Sequence, residues 1–120
     1  MGSRSRREIV SKMSDKFLSG LVHVVHFWLK EGVSEAECQQ FIAGVKALGS
    51  IEHVNLIHVG VAANTEKRDV VDNSFAVSEI LFFDNEIAQK AYQDHPLHHK
   101  FVEQFSNLWE KVVVQDSVKA

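Results

Sequence analysis

An α+β domain built on one four-stranded antiparallel sheet, in the order β-α-β-β-α-β, is predicted by three features of this sequence. Four apolar segments rich in β-branched and aromatic residues recur along the chain. Two helical segments between them carry capping residues and apolar side chains at spacings of three and four. The only proline, Pro96, sits at a loop-to-helix joint, where its missing N–H costs no hydrogen bond.

The first strand covers residues 21–29. Leu21-Val22-His23-Val24-Val25-His26-Phe27-Trp28-Leu29 is apolar on both faces, as in a strand covered on both sides. Ser34 then caps a helix, with Glu37 three residues on as its capping-box partner. Phe41, Val45 and Leu48 follow at helical spacing, and Gly49 ends the element. The second strand spans 54–61, and the polar, charged residues 62–73 read as a long loop. The third strand spans 75–83. A short helix over 86–92 has Asp84 or Asn85 as its cap. Past Pro96 a further helix over 98–109 buries Phe101, Phe105 and Leu108, and the last strand spans 112–116. This order is the ferredoxin-like split βαβ unit, with its helices on one face of the sheet.

Helices on one face should leave the other face wet and polar. The first strand does not alternate in that way: Val22, Val24 and Trp28 share one face, Val25, Phe27 and Leu29 the other. In water such a face would expose an apolar patch of several hundred Å², about the limit for a monomer. The sequence therefore predicts a homodimer that covers it with a second copy.

Composition bounds the remaining possibilities. The chain has 120 residues, enough for one domain, with 45% hydrophobic and 24% charged residues, the balance of a globular protein. No apolar run approaches the ~18 residues of a membrane span, and no signal-peptide core is visible near the start. A net charge of −3 argues against nucleic acid as a partner. The single cysteine, Cys38, cannot form an internal disulfide and points to a reducing, cytoplasmic setting. Residues 1–12 are basic and polar and read as a tag or a disordered arm. Met1-Gly2-Ser3 has the form of a cloning remnant, Met13 that of a native start, and the domain proper is 13–120.

Several short segments resemble the stress-responsive dimeric α/β-barrel (Dabb) family: His23-Val24-Val25-His26-Phe27-Trp28-Leu29-Lys30, Ile57-His58-Val59-Gly60, Phe82-Phe83-Asp84, Tyr92-Gln93-Asp94-His95-Pro96-Leu97-His98 and Trp109-Glu110-Lys111-Val112. They run in order from about Leu21 to Ser117, and the His-Pro-x-His piece after Tyr92 is the most specific. The resemblance implies a ferredoxin-like fold whose two sheets form a dimeric α/β barrel. The family includes stress-associated proteins without established chemistry and a plant polyketide cyclase, olivetolic acid cyclase. Similar barrels in other families include haem-degrading and quinone-forming monooxygenases.

The cyclase pattern supplies candidate residues. Its first-strand histidine matches His23, and its tyrosine and histidine around the His-Pro motif match Tyr92 and His98. Its third-strand histidine falls on Val77 here, and its helix-one tyrosine has no clear match near Gly44. Glu79 shares a sheet face with Val77 and Leu81, and antiparallel pairing of the first and third strands would bring it to His23. A carboxylate on that covered face must be paired, hydrated or protonated. The expected site is therefore His23, Tyr92 and His98, with Glu79 as partner to His23 and Val25, Phe27, Val77, Leu81 and Phe101 as an apolar ligand wall. Alternatively, Tyr92 and the histidines brace the helix joint. His26 and His58, on the other sheet face, belong to no recognised metal-ligand spacing, so neither a metal nor another cofactor is expected. The expected function is a homodimer that binds a small apolar or aromatic molecule. The alternatives are a cofactor-free cyclase-like enzyme using histidine and tyrosine, and a haem- or oxygen-dependent monooxygenase.

Overall fold

The computed structural model describes residues 5–120, so Met1-Gly2-Ser3, expected to be a cloning remnant, lies outside the described residues. A helix absent from the sequence expectation comes first: α1, Arg6–Leu18, capped by Ser5, whose hydroxyl accepts from the Glu8 N–H at 3.2 Å. Ile9 and Leu18 on it are exposed. The expected elements then follow in order: β1 (Leu21–Leu29), α2 (Glu35–Ala47), β2 (Leu56–Gly60), β3 (Val77–Phe83), α3 (Glu86–Asp94), α4 (Pro96–Phe105) and β4 (Trp109–Val118). Short 3-10 turns extend α2 over Leu48–Ser50 and α4 over Ser106–Leu108.

The capping chemistry matches the sequence. The Ser34 hydroxyl accepts from the Glu37 N–H, while the Glu37 carboxylate accepts from the Ser34 N–H, both at 3.1 Å. Asn85, rather than Asp84, caps α3 by accepting from Ala88 N–H at 2.9 Å. Pro96 opens α4, and the His95 ring accepts from the Leu97 N–H at 3.1 Å. One turn of chain, turning at His95, thus ends α3 and starts α4.

The strands pair antiparallel in the order β2-β3-β1-β4. This order corrects the expected barrel: the sheet is open, with β2 and β4 as unpaired edges. The expected barrel drew on the sheets of two copies; the four strands of this chain stay an open sheet, short of the about eight that closure around packed side chains takes. The apolar second face that called for a second copy is also partly covered by the chain itself. The Trp28 indole donates to Ser74 Oγ at 2.9 Å, the Phe75 ring lies 4.6 Å from that of His26, and the Lys111 ammonium sits 4.6 Å over Trp28. Ser74 is held in turn by the Asp72 carboxylate, whose proton affinity these hydrogen bonds lower.

On the other face, α2, α3 and α4 cover the sheet. Phe41 and Val45 of α2 and Phe101 and Phe105 of α4 pack on Leu21, Val25, Phe27, Val77, Leu81 and Phe83. Phe41 centres an aromatic group, with rings 5.0 Å from Phe27, 5.6 Å from Phe105 and 5.9 Å from Phe101. Burying each such ring contributes about 1.5–3 kcal/mol. Among the described residues, no helix is long and apolar enough to cross a membrane.

Gly20, just ahead of β1, lies against the end of β3. A Cβ there would stand 2.0 Å from the Phe83 carbonyl oxygen, and that backbone is pinned in the sheet. Gly20→Ala is expected to lose about 1–3 kcal/mol in urea unfolding. A wild-type midpoint for this variant would contradict the packing described.

Candidate functional site

The helix-facing side chains of β1 are Leu21, His23, Val25 and Phe27, all buried. His23 is the polar member of that row, and strand register decides what it meets. Its direct partners are Leu81 on β3 and Asp116 on β4. His23 Nδ1–H donates to Asp116 Oδ1 at 2.5 Å, a short, charge-assisted contact. Nε2 faces Glu79 Oε1 at 4.0 Å. The Glu79 side chain is buried, and its cross-strand partners are Val25 on β1 and Val59 on β2.

The helix joint supplies the opposite wall. Tyr92, in the last turn of α3, is fully buried, and its ring centre lies 6.1 Å from His23, 5.0 Å from Phe83 and 4.9 Å from His98. His98 sits in the first turn of α4, half-buried, with Phe101 6.3 Å further on. Tyr92 thus stands between the two histidines and links them ring to ring. Two atoms of this cluster, Glu79 Oε2 and the Tyr92 hydroxyl, are buried without a hydrogen-bond partner.

The apolar residues expected to line a ligand site divide into two groups. Leu81 and Val25 adjoin His23 and Glu79 in the register. Phe27 and Val77 pair with each other four residues along β1 from His23, a distance of about 13 Å. They join the Phe41 group instead, with Phe27 5.4 Å from Trp109. Phe101 lies between the two groups, within 6.4 Å of both His98 and Phe27. A cleft of about 180 Å³ opens between α2 and α4, lined in part by Leu97, Phe101 and Phe105.

Burial sets the charge states. Removal from water holds Glu79 as a neutral acid, pushing its pKa from 4.5 to about 8. Burial, then the Glu79 carboxyl, pushes the Tyr92 phenol up, so it remains an O–H donor. Burial, then the charges of His99 and His23, holds His98 below the usual histidine range, so its imidazole is neutral at pH 7. Glu79, Tyr92 and His98 therefore present neutral donors and acceptors.

Other candidates do not join it. His26 and His58 lie on the opposite sheet face, His26 against Phe75 and His58 exposed. Among the described residues, no three His, Cys, Asp or Glu side chains are grouped to hold a metal. Burial and the nearby Glu35 raise the Cys38 thiol, which keeps it from the reactive thiolate form. The helix-one tyrosine of the cyclase pattern has no room at Gly44, where a Cβ would meet the Phe105 ring at 2.3 Å.

Residues 21–119 match the family described as Stress responsive A/B Barrel Domain, Dabb. The chain belongs to this family. A Dabb family protein with a ferredoxin-like fold from Mesorhizobium loti is 25% identical, with a TM-score of 0.68, over 83% of this chain and 96% of its own. A hydroxynitrile lyase from Passiflora edulis is 21% identical, with a TM-score of 0.72, over 83% of this chain and 93% of its own. A dimeric ferredoxin-like protein of unknown function from Thermobifida fusca is 18% identical, with a TM-score of 0.67, over 82% and 90%. For the last two the likeness is one of fold. No protein of curated function matches the chain.

Within this Dabb domain, the partner that sequence reasoning missed is Asp116. Its alternation along β4 was visible, but the β1–β4 register that aligns it with His23 is a long-range property that no local pattern encodes.

The raised pKa of Glu79 has a defined effect on stability. Folded Glu79 keeps its proton up to about pH 8, whereas the unfolded chain releases it near 4.5. Between those values the native state binds the extra proton, so stability falls as pH rises, by up to ~1.4 kcal/mol per pH unit, and levels off above the folded pKa. Relative to wild type, Glu79→Gln should lack this decline in urea titrations across that window. Parallel pH dependence of the two proteins would show that Glu79 is not held as an acid.

Proposed function

We propose that this Dabb-family protein binds a small apolar or aromatic molecule, with His23, Tyr92, His98 and Glu79 as its polar anchors. The observation that carries this reading is the pair of buried, unpartnered polar atoms, the Tyr92 hydroxyl and Glu79 Oε2. An unsatisfied buried polar group costs about 1–3 kcal/mol. A ligand oxygen accepting from Tyr92 and from the neutral Glu79 acid would remove that cost on binding. The surrounding Val25, Leu81, Phe83 and Phe101 suit an aromatic or aliphatic body, and a few placed polar groups in an apolar wall are the usual form of a small-molecule site. The half-buried His98 at the start of α4 stands at the approach, since Tyr92 and His23 lie beneath it.

The same reading includes a second copy of the chain on the open sheet face. Val22, Val24, Ile80, Phe82 and Val113 are only half-buried there, and Leu56 is 46% exposed. The apolar area argues for a partner, and the fold neighbour from Thermobifida fusca is described as dimeric.

Binding is tested by two-dimensional NMR with simple phenols and aromatic ketones at roughly millimolar concentration. Shifts confined to residues around Tyr92 and His98 are expected, with binding about tenfold weaker in Tyr92→Phe. Ligands that shift only the α2–α4 cleft, or none that shift the Tyr92 region, would refute the assignment. For the assembly, light scattering should give a dimer for wild type and loss of the dimer for Val24→Asp, which buries an unpaired charge. A stable wild-type monomer at micromolar concentration would end that part of the reading.

A further inference from the structure

Among the described residues, His23 is the one side chain that meets two carboxyl groups, one on each ring nitrogen, and the two acids lie in opposite surroundings. Asp116, on edge strand β4, has a side chain 44% exposed to solvent, while that of Glu79, on β3, is 4% exposed. The imidazole between them is 5% exposed. A buried acid, a buried imidazole and a solvated carboxylate therefore lie in series from the interior of the site to its outer edge.

We propose that Glu79 is the proton-exchanging group of this site and that His23 and Asp116 form its path to solvent. In the proposed resting arrangement the Asp116 carboxylate accepts from Nδ1–H, Nε2 holds a lone pair, and Glu79 carries a proton. Release of that proton takes two coupled transfers. The Glu79 O–H bond breaks and its proton goes to His23 Nε2, while the Nδ1–H bond breaks and that proton goes to Asp116 Oδ1, from which water takes it. The imidazole stays neutral throughout and changes only its tautomer; Glu79 gains the negative charge, and one proton appears in solvent. Uptake runs the same steps in reverse. The 4.0 Å gap between Nε2 and Glu79 exceeds a hydrogen bond, but Glu79 Oε2 has no partner to restrain the carboxyl from turning toward Nε2.

Each element packed around Glu79 bears on this path. β1 presents His23, and β4 presents Asp116 beyond it. α3 presents Tyr92, whose phenol stays protonated, and α4 presents His98, whose imidazole is held neutral. The cross-strand neighbours Val25 and Val59 offer no hydrogen bond. His23 is therefore the group through which Glu79 reaches the solvated edge of the sheet, and Asp116 is a positioning residue that also accepts the outgoing proton. This inference takes its purpose from the ligand-binding reading, since Glu79 would trade a proton with the bound molecule, but it stands or falls without any ligand.

Infrared spectroscopy of the full chain tests it. The carbonyl band of a protonated carboxyl group is expected in wild type at about pH 6, absent from Glu79→Gln, and lost with a midpoint of about 8. On rapid mixing into heavy water, the band should move to its deuterated position. Asp116→Asn should keep the band and slow this exchange about 100-fold, the scale of a removed proton-transfer group. Asp116→Glu should restore the wild-type rate. If Asp116→Asn does not fold by circular dichroism, Asp116→Ser takes its place with the same expectation, since its hydroxyl still accepts from Nδ1 but does not titrate near neutral pH. A wild-type spectrum without a band that Glu79→Gln removes, or an exchange rate unchanged by loss of the Asp116 carboxyl, would overturn the proposal. The binding experiment is unaffected by either result, so a failed path and a failed ligand site are told apart.

Discussion

Strand β1 is held on both sides, by β3 along 21–27 and by β4 along 21–29, and the rest of the molecule depends on that double pairing. A central strand has its backbone donors and acceptors satisfied on both edges, so its register is fixed and its side chains alternate without slippage. One consequence is the core: Leu21, Val25 and Phe27 face the helices as a continuous row. The other is chemical. His23 occupies the same row, so each neighbouring strand presents a carboxyl group to it. A slip of one residue on either side would turn Glu79 or Asp116 to the opposite face and leave the imidazole unpaired.

The helix joint is built to a complementary constraint. α3 must end, and α4 begin, within one residue, so that Tyr92 and His98 come from different helices yet lie 4.9 Å apart. Pro96 supplies the fixed backbone angle for the first position of α4, and His95 satisfies a free N–H of that first turn with its own ring. The His-Pro-x-His run therefore divides its work. The first histidine is structural and caps a helix, while the second faces the aromatic interior beside Tyr92. Sequence proximity alone gives no means of separating these two roles.

What the sequence revealed, and what it did not, follows the range of the interactions involved. The α2 capping box at Ser34 and Glu37, the buried spacing of Phe41, Val45 and Leu48, and the two faces of β1 are local patterns, and the structure places them as read. The approach of Glu79 to His23 was also readable, because antiparallel pairing and a two-residue alternation were enough to bring them to one face. Asp116 was not, since it depends on how β4 aligns with β1 across more than ninety residues of chain. The barrel expectation failed for a related reason. A two-sided apolar strand shows that both faces need cover without showing what covers them, and part of the cover is the chain's own Ser74, Phe75 and Lys111. Helix α1 was not expected because the basic, polar composition of residues 1–12 reads as a tag or a disordered arm, whereas the helix spans Arg6–Leu18.

Glu79 conflicts most sharply with stability. A glutamine or an apolar residue between Val25 and Val59 would spare the fold the burial of an acid, and nothing in the packing of β3 requires a carboxyl group there. Buried ionisable groups with strongly shifted pKa values cluster where proteins bind or transform something, although structural networks perturb pKa values too. Glu37 and Asp72, both exposed, each place one carboxylate oxygen in a cap or a turn and leave the other to solvent. Glu79 Oε2 and the Tyr92 hydroxyl both lack a partner, while Glu79 Oε1 faces a histidine held from its other side by Asp116. On the ligand-binding reading proposed above, the hydrogen-bonding capacity that these groups leave unspent at the helix-covered face is what a bound molecule would take up.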